Sequence, residues 1–478
     1  MKKTYLKPLV LVGCLIALTC GAMAFSDKIK TETPPATAPP ASPVPAPAKS
    51  GILTLSGHLV QDKIFTGGDG TVSLELTLQA EDVLQKQEKN IRHADMVIVL
   101  DRSGSMQGRK ITDARQAALK LLENLSSQDR FGLVTYSSDV RMDSPLVPVT
   151  ESARELLVAV INRIDADGGT NLGGGLQEGI RVLTQTAKTG NPGRLILISD
   201  GLANEGITDP GALGNMASIA VEKEFAISTV GVGNDFNEQL MTAIADRGTG
   251  NYYYLETPES FANVFLNEFH STRTAVATSL EIRIPLSKGV TLADAAGYPV
   301  QIKDNAALFY PGDLRSGQIR KIFLTFRIPV HEENSFEISQ ISAKYLHMGE
   351  SSTVTLAEPF RIACVKDQKA ALSSIRKDAW EKKVVQDEYS QLKQDVARDM
   401  KAGNAPAAMQ KIDEYEVRQQ AANEVVQSEV VTQNLDKDVN ELRSTVQQTF
   451  TGSKEEVAEK QKSNAKALQF EGYQGRRK

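Results

Sequence analysis

Two hydrophobic periods alternate along the chain. From Gly51 apolar residues recur at every second position. Val72, Leu74, Leu76 and Leu78 alternate with Ser73, Glu75 and Thr77, which predicts a half-buried strand entered through the turn Gly67-Gly68-Asp69-Gly70. Between residues 93 and 272 the pattern changes. Fully apolar runs at Met96–Leu100, Phe131–Tyr136, Leu195–Ile198 and Phe225–Val232 alternate with helical stripes. Ile111, Ala114, Ala118, Leu121 and Leu125 make one stripe. Leu172, Leu176, Ile180 and Leu183 make a second, and Phe261, Val264, Phe265 and Phe269 a third. Strand–helix alternation of this kind predicts a doubly wound, Rossmann-like α/β domain.

Residues 273–366 return to period two, with Leu280, Ile282 and Ile284, then Ile322, Leu324, Phe326 and Ile328. A β-sandwich formed by 51–92 and 273–366, with the α/β domain of 93–272 inserted between its parts, explains both pieces. Two independent small β units are the alternative. Phe360, Ile362 and Cys364 alternate on one strand face, so Cys364 reads as a buried apolar residue rather than an intermolecular bridge.

From 367 to 478 the chain reads as a C-terminal helical hairpin or bundle. Val385, Tyr389, Leu392, Val396 and Met400 form one stripe, and Leu435, Val439, Leu442 and Val446 another. Gly403-Asn404-Ala405-Pro406 breaks the first helix, and Ser453 with Glu456 predicts a capping box. An oligomer held by these helices as a coiled coil is the alternative use of the stripes. The basic end, Arg476-Arg477-Lys478, reads as a solvated tail.

The N-terminus reads as an export signal over residues 1–24. Lys2, Lys3 and Lys7 precede an apolar run from Leu9 to Thr19, and Ala22-Met23-Ala24 offers a cleavage site. That run is shorter than the ~20 residues a membrane span needs. Lipid attachment at Cys20 is the competing reading, with Cys14 poorly placed for it. Residues 25–50, with seven prolines between Pro34 and Pro47, form an extended proline- and alanine-rich linker. A periplasmic or cell-surface location follows.

Composition excludes little: 41% hydrophobic and 24% charged residues are ordinary for a globular protein. With 59 acidic against 54 basic residues, nothing favours nucleic acid.

The candidate chemistry lies where the first α/β strand ends. Asp101-Arg102-Ser103-Gly104-Ser105 places an acid and two hydroxyls at alternate positions, at the carboxyl end of a central strand. Asp167-Gly168-Gly169-Thr170-Asn171 adds the Thr170 hydroxyl, and Ser199-Asp200-Gly201 adds Asp200 as another apolar strand ends. Taken singly, Asp101 and Asp200 read as turn caps. Together, the oxygen donors suit a hard cation, magnesium first, with manganese or calcium as alternatives. Arg102, Arg109 and Lys110 read either as surface charges at a helix start or as steering groups for an anion.

Asp101, Ser103, Ser105, Thr170 and Asp200, in that order, resemble the metal-ion-dependent adhesion site of von Willebrand factor A domains. The likeness covers residues 93–272, including Val230–Asn234 and Tyr252–Leu255. It implies that Ser103, Ser105 and Thr170 bind metal directly, and Asp101 and Asp200 directly or through water. The embedding in β-sheet resembles bacterial exported proteins grouped with inter-alpha-trypsin inhibitor heavy chains and calcium-activated chloride channel regulators.

Enzyme motifs fail on inspection. Gly104–Lys110 lacks the ending of a phosphate loop, Gly231-x-Gly233 lacks its third glycine, and there are only five histidines and no Gly-x-Ser-x-Gly elbow. The expected function is non-enzymatic: a cation at the five residues captures an Asp or Glu carboxylate of a partner protein. An assembly protein acting through its helical tail, with a structural metal, is the second reading. A metal-dependent hydrolase is the third.

Overall fold

A computed structural model describes residues 45–83, 92–185, 191–221 and 225–477. The expected signal, both N-terminal cysteines, most of the linker and Lys478 lie outside them. Among the described residues no helix is long and apolar enough to cross a membrane.

The α/β part is built on a six-stranded sheet in the order Thr249–Leu255, Phe225–Val232, Gly193–Ser199, Asp95–Asp101, Arg130–Tyr136, Val140–Pro148. All pairs are parallel except the last. Burial on both faces is why the inner strands read as unbroken apolar runs. Met96, Ile98 and Leu100 pack toward the helices Arg109–Asn124, Glu151–Asn162 and Phe261–Thr274. Val97 and Val99 pack toward Leu172–Gln185, Pro210–Val221 and Glu238–Arg247. The Leu172–Gln185 helix sits close to the sheet because it is glycine-rich there. A Cβ on Gly175 would come within 2.5 Å of Tyr136, and one on Gly179 within 2.3 Å of Val99.

The two period-two segments meet in space across the α/β part. Thr71–Ala80 pairs antiparallel with Ile319–Arg327 over nine residues, inside a five-stranded sheet completed by Ala48–Ser50, Leu53–Leu59 and Thr291–Ala295. A second sheet is centred on Ala275–Pro285, flanked by Ala306–Phe309 and Ser342–His347. One apolar core takes Leu55, Leu74 and Leu76 from the first segment and Ile282, Ile284 and Phe309 from the second. Cys364 is buried in that core.

The helices after residue 367 form a bundle of their own. Val396, Met400, Ile412, Leu435, Val439, Leu442 and Val446 share one core, which also reaches Val60 and Phe323 of the all-β part. Both predicted stripes are therefore used within the chain. The first stripe is corrected at its start: Val384 is fully buried, and Val385 is not. The cause is a π-helical turn at Lys383–Glu388, which shifts the phase by one residue. Asn404 caps the next helix with Pro406 in its first turn, and the Ser453–Glu456 capping box is formed.

The expected solvated tail is also corrected. Arg476 is buried and donates to Asp387 at 2.9 Å and to Asp294 of the all-β part. Arg477 pairs with Asp246 of the α/β part at 2.6 Å and lies over the rings of Tyr298 and Tyr473. Arg476 and Arg477 look solvated by composition, but their partners are distant in sequence.

Candidate functional site

Four loops meet at the carboxyl ends of the central strands. The strand Asp95–Asp101 delivers a fully buried Asp101 to the crest. One carboxylate oxygen accepts the Ser103 N–H at 2.8 Å, and the other accepts the Ser199 hydroxyl at 2.8 Å. Burial pushes the Asp101 carboxyl up to about 6, and the neighbouring charge of Asp200 adds to that, against the hydrogen bonds from Ser103 and Ser199. After Asp101 the chain makes a single tight turn, Gly104–Met106, pinned by the fully buried Met106. That turn brings the Ser103 and Ser105 oxygens to 3.1 Å of each other.

Asp200 leaves the strand Gly193–Ser199 next to this turn and is also buried. Its Oδ1 accepts the Ser105 hydroxyl at 2.6 Å. Its Oδ2 accepts from the Lys110 ammonium at 2.5 Å. Thr170 comes from the glycine loop, where Gly168 takes a φ of +83°. Gly168 O accepts the Gly104 N–H at 3.0 Å, and the Asp167 N–H donates to Arg102 O at 2.8 Å, so the two loops are stitched together. Gly201 lies beside both hydroxyls: a Cβ there would stand 3.4 Å from Ser105 Oγ and 3.9 Å from Thr170 Oγ1. All five residues singled out in the sequence thus gather on one crest.

The donor set consists of three hydroxyls and two buried carboxylates, with no nitrogen or sulfur. Such a set fits a hard divalent cation. Two carboxylates at close quarters also need positive charge nearby to stay ionised. Among the described residues no group of three or more His, Cys, Asp or Glu side chains could hold a metal ion, so the fit of the crest rests on its hydroxyls beside two carboxylates.

The charged residues near the crest separate on inspection. Arg102 is buried and paired with Asp139, and Arg109 is exposed and pairs with Glu259. Neither faces the cluster carboxylates, whereas Lys110 does. Three supporting residues were not singled out from the sequence. Ser199 fixes Asp101, and Asn204 accepts the Thr170 N–H at 2.9 Å through its side chain. Ser138 donates to Glu205 at 2.9 Å and accepts the Gly169 N–H. Only Ser199 carried a signal, standing next to Asp200 at a strand end.

Comparison with known proteins agrees with this architecture. Residues 95–267 match the family model of the von Willebrand factor type A domain. YfbK, an uncharacterized protein of Escherichia coli K12, is 34% identical over 212 residues, 44% of this chain and 36% of that protein. Inter-alpha-trypsin inhibitor heavy chain H3 of Mesocricetus auratus is 30% identical over 200 residues, 40% of this chain and 22% of that protein. This chain thus matches well under two thirds of the length of either relative. Among solved structures, a von Willebrand factor type A protein from Catenulispora acidiphila superposes with a TM-score of 0.64 at 15% identity, covering 90% of this chain and 97% of that one. The ArnB paralog VWA2 from Sulfolobus acidocaldarius gives 0.50 at 16% identity, covering 87% and 98%. The shared fold therefore extends well beyond the α/β part.

Proposed function

We propose that this chain, a protein with a von Willebrand factor type A domain, is an exported binding module rather than an enzyme. Its crest holds a divalent cation, magnesium first, among Asp101, Ser103, Ser105, Thr170 and Asp200, and uses it to capture an Asp or Glu carboxylate of a partner protein. The observation that carries this reading is the Ser105 hydroxyl, which donates to Asp200 at 2.6 Å while standing 3.1 Å from the Ser103 oxygen. Loops distant in sequence thereby aim oxygens at one place. A cation there supplies Lewis-acid attraction for an anionic oxygen. The chain's own part is to hold the hydroxyls and carboxylates in place before anything binds. Magnesium prefers six oxygens, and with Asp101 and Asp200 bound directly or through water the five residues would leave a position that a partner's carboxylate could take.

The rim supports a protein as that partner. Leu202 and Ile207, just after Asp200, are 59% and 45% exposed. They are not on a loose loop, since the Asn204 and Glu205 N–H groups both donate to Thr170 O. Large apolar side chains held in water beside a polar site mark a contact surface. Export rests on the signal-like residues 1–24 and places the capture in the periplasm or at the cell surface.

Thermal melts of the full chain with magnesium, manganese and chelator test the site without knowledge of the partner. A roughly hundredfold excess of metal over its dissociation constant raises stability by about 2.7 kcal/mol. The gain is expected to vanish in Asp101→Ala. Identical melts in metal and chelator would overturn the reading.

A further inference from the structure

Lys110 occupies a place that surface lysines do not. Its ammonium donates to Asp200 Oδ2 at 2.5 Å and to Ser105 O at 3.4 Å. Its side chain is one third exposed (33%), while that of Asp200 is fully buried. The helix Arg109–Asn124 that carries it is anchored by Ile111 and Ala114, both buried against the sheet. The ammonium is therefore delivered to Asp200 from a fixed backbone. Gly233, just after the strand Phe225–Val232, lies beside it: a Cβ there would stand 3.9 Å from Lys110 Nζ, ordinary van der Waals contact.

We propose that Lys110 is a built-in counter-ion that shares Asp200 with the cation, and so couples metal binding to the binding of an acidic ligand. The inference rests on the metal reading above. Without metal, Lys110 offsets the Asp200 charge and lets two buried carboxylates coexist. With a divalent cation in place, Asp101 and Asp200 balance its two charges, and the ammonium leaves the site with one positive charge in excess. That excess weakens metal binding when the cation is alone. An incoming carboxylate removes it, so metal and acidic ligand each tighten the binding of the other. Lys110 acts through Asp200 and is a positioning residue. It is not a ligand.

The test is calorimetric titration of the full chain with Mn²⁺ at low ionic strength, for the wild type, Lys110→Met and Lys110→Arg. Lys110→Met is expected to bind Mn²⁺ about tenfold more tightly, allowing for the partial exposure of the ammonium. Lys110→Arg keeps the charge and stays near the wild type. In chelator, Lys110→Met is expected to melt below the wild type. An acetylated and amidated Gly-Glu-Gly peptide is expected to tighten Mn²⁺ binding more in the wild type than in Lys110→Met. A damaged fold cannot produce tighter metal binding, so the gain is diagnostic. Equal or weaker binding by Lys110→Met overturns this inference alone. No Mn²⁺ binding by either protein overturns the metal reading and this inference with it.

Discussion

The Arg476 guanidinium donates to the Asp387 carboxylate at 2.9 Å, and both side chains are buried, 4% and 3% exposed. The same guanidinium pairs with Asp294, so one residue near the end of the chain ties the helical bundle to the all-β part. In the helix Lys454–Gly475 that precedes it, Tyr473 and Phe470 pack edge-on against Tyr252 of the α/β sheet. The last helix thus joins three parts of the molecule.

Arg476→Ala removes one of the two cations that face Asp387, leaving Lys383. Breaking a buried pair from one side costs about 3–5 kcal/mol, and the remaining lysine places the expected loss near the lower figure, about 3 kcal/mol, by urea unfolding. The pH dependence has a definite sign. Burial pushes the Asp387 carboxyl up, but Lys383 and Arg476 outweigh it and hold the group below its usual range. A depressed acid stabilises the fold above its unfolded pKa, and this contribution is lost as pH falls through the folded value. Arg476→Ala is therefore expected to flatten the acid limb of the stability curve. An unchanged urea midpoint would contradict the account.

Asp101 predicts the opposite sign at the crest. Its carboxyl is pushed up to about 6, chiefly by burial. A raised acid takes up a proton on folding between about pH 4 and the folded value. In chelator, its contribution to stability is complete below that window and is lost as pH rises through about 6. Cation binding requires the charged form, so metal-induced stabilisation runs the other way. The Tm difference between magnesium and chelator is expected to be full at pH 7.5 (about 1.5 units above the Asp101 value) and to shrink steadily below pH 6. A difference independent of pH would remove Asp101 from the site.

Much of this is legible in the amino-acid sequence. The inner strands announced themselves because burial on both faces leaves no polar position, and Asp101 and Asp200 stand out as the acids that end such runs. The edge strand Val140–Pro148 was not legible: its burial is mixed, and Pro145 and Asp143 interrupt the apolar pattern. Periodicity also misplaced Val384, because a π-helical turn changes the residue count per turn without a sequence mark. The pairing of Lys110 and the role of Asn204 were illegible for another reason. Their partners, Asp200 and Thr170, lie 90 and 34 residues away, and only the folded loops bring them together.

Leu202 offers a way to separate partner capture from metal binding. It is more than half exposed and touches none of the cluster oxygens through a hydrogen bond, so Leu202→Asp should leave Mn²⁺ affinity within about twofold, as surface changes usually do. Capture of an acidic protein ligand is expected to fall by tenfold or more, since the variant removes an apolar contact and adds a like charge facing the ligand's carboxylate. Paired metal and ligand titrations on one protein preparation check this. Loss of both affinities together would mean that Leu202 supports the crest rather than the contact.

Asn204 predicts how far the preformed loops matter. Its side-chain oxygen accepts the Thr170 N–H at 2.9 Å, while its own N–H donates to Thr170 O at 3.2 Å. Asn204→Ala keeps the backbone bond and loses the side-chain one, a change worth about 1 kcal/mol of stability. Its effect on the site should be larger in proportion. Thr170 is buried on a glycine loop held in place largely by such hydrogen bonds, and residues that orient ligands typically change metal affinity by about 10–100-fold when removed. Weaker Mn²⁺ binding with a nearly unchanged urea midpoint is the expected result. The reverse, lower stability with unaltered metal affinity, would show that Thr170 is held from elsewhere or contributes no oxygen to the cation.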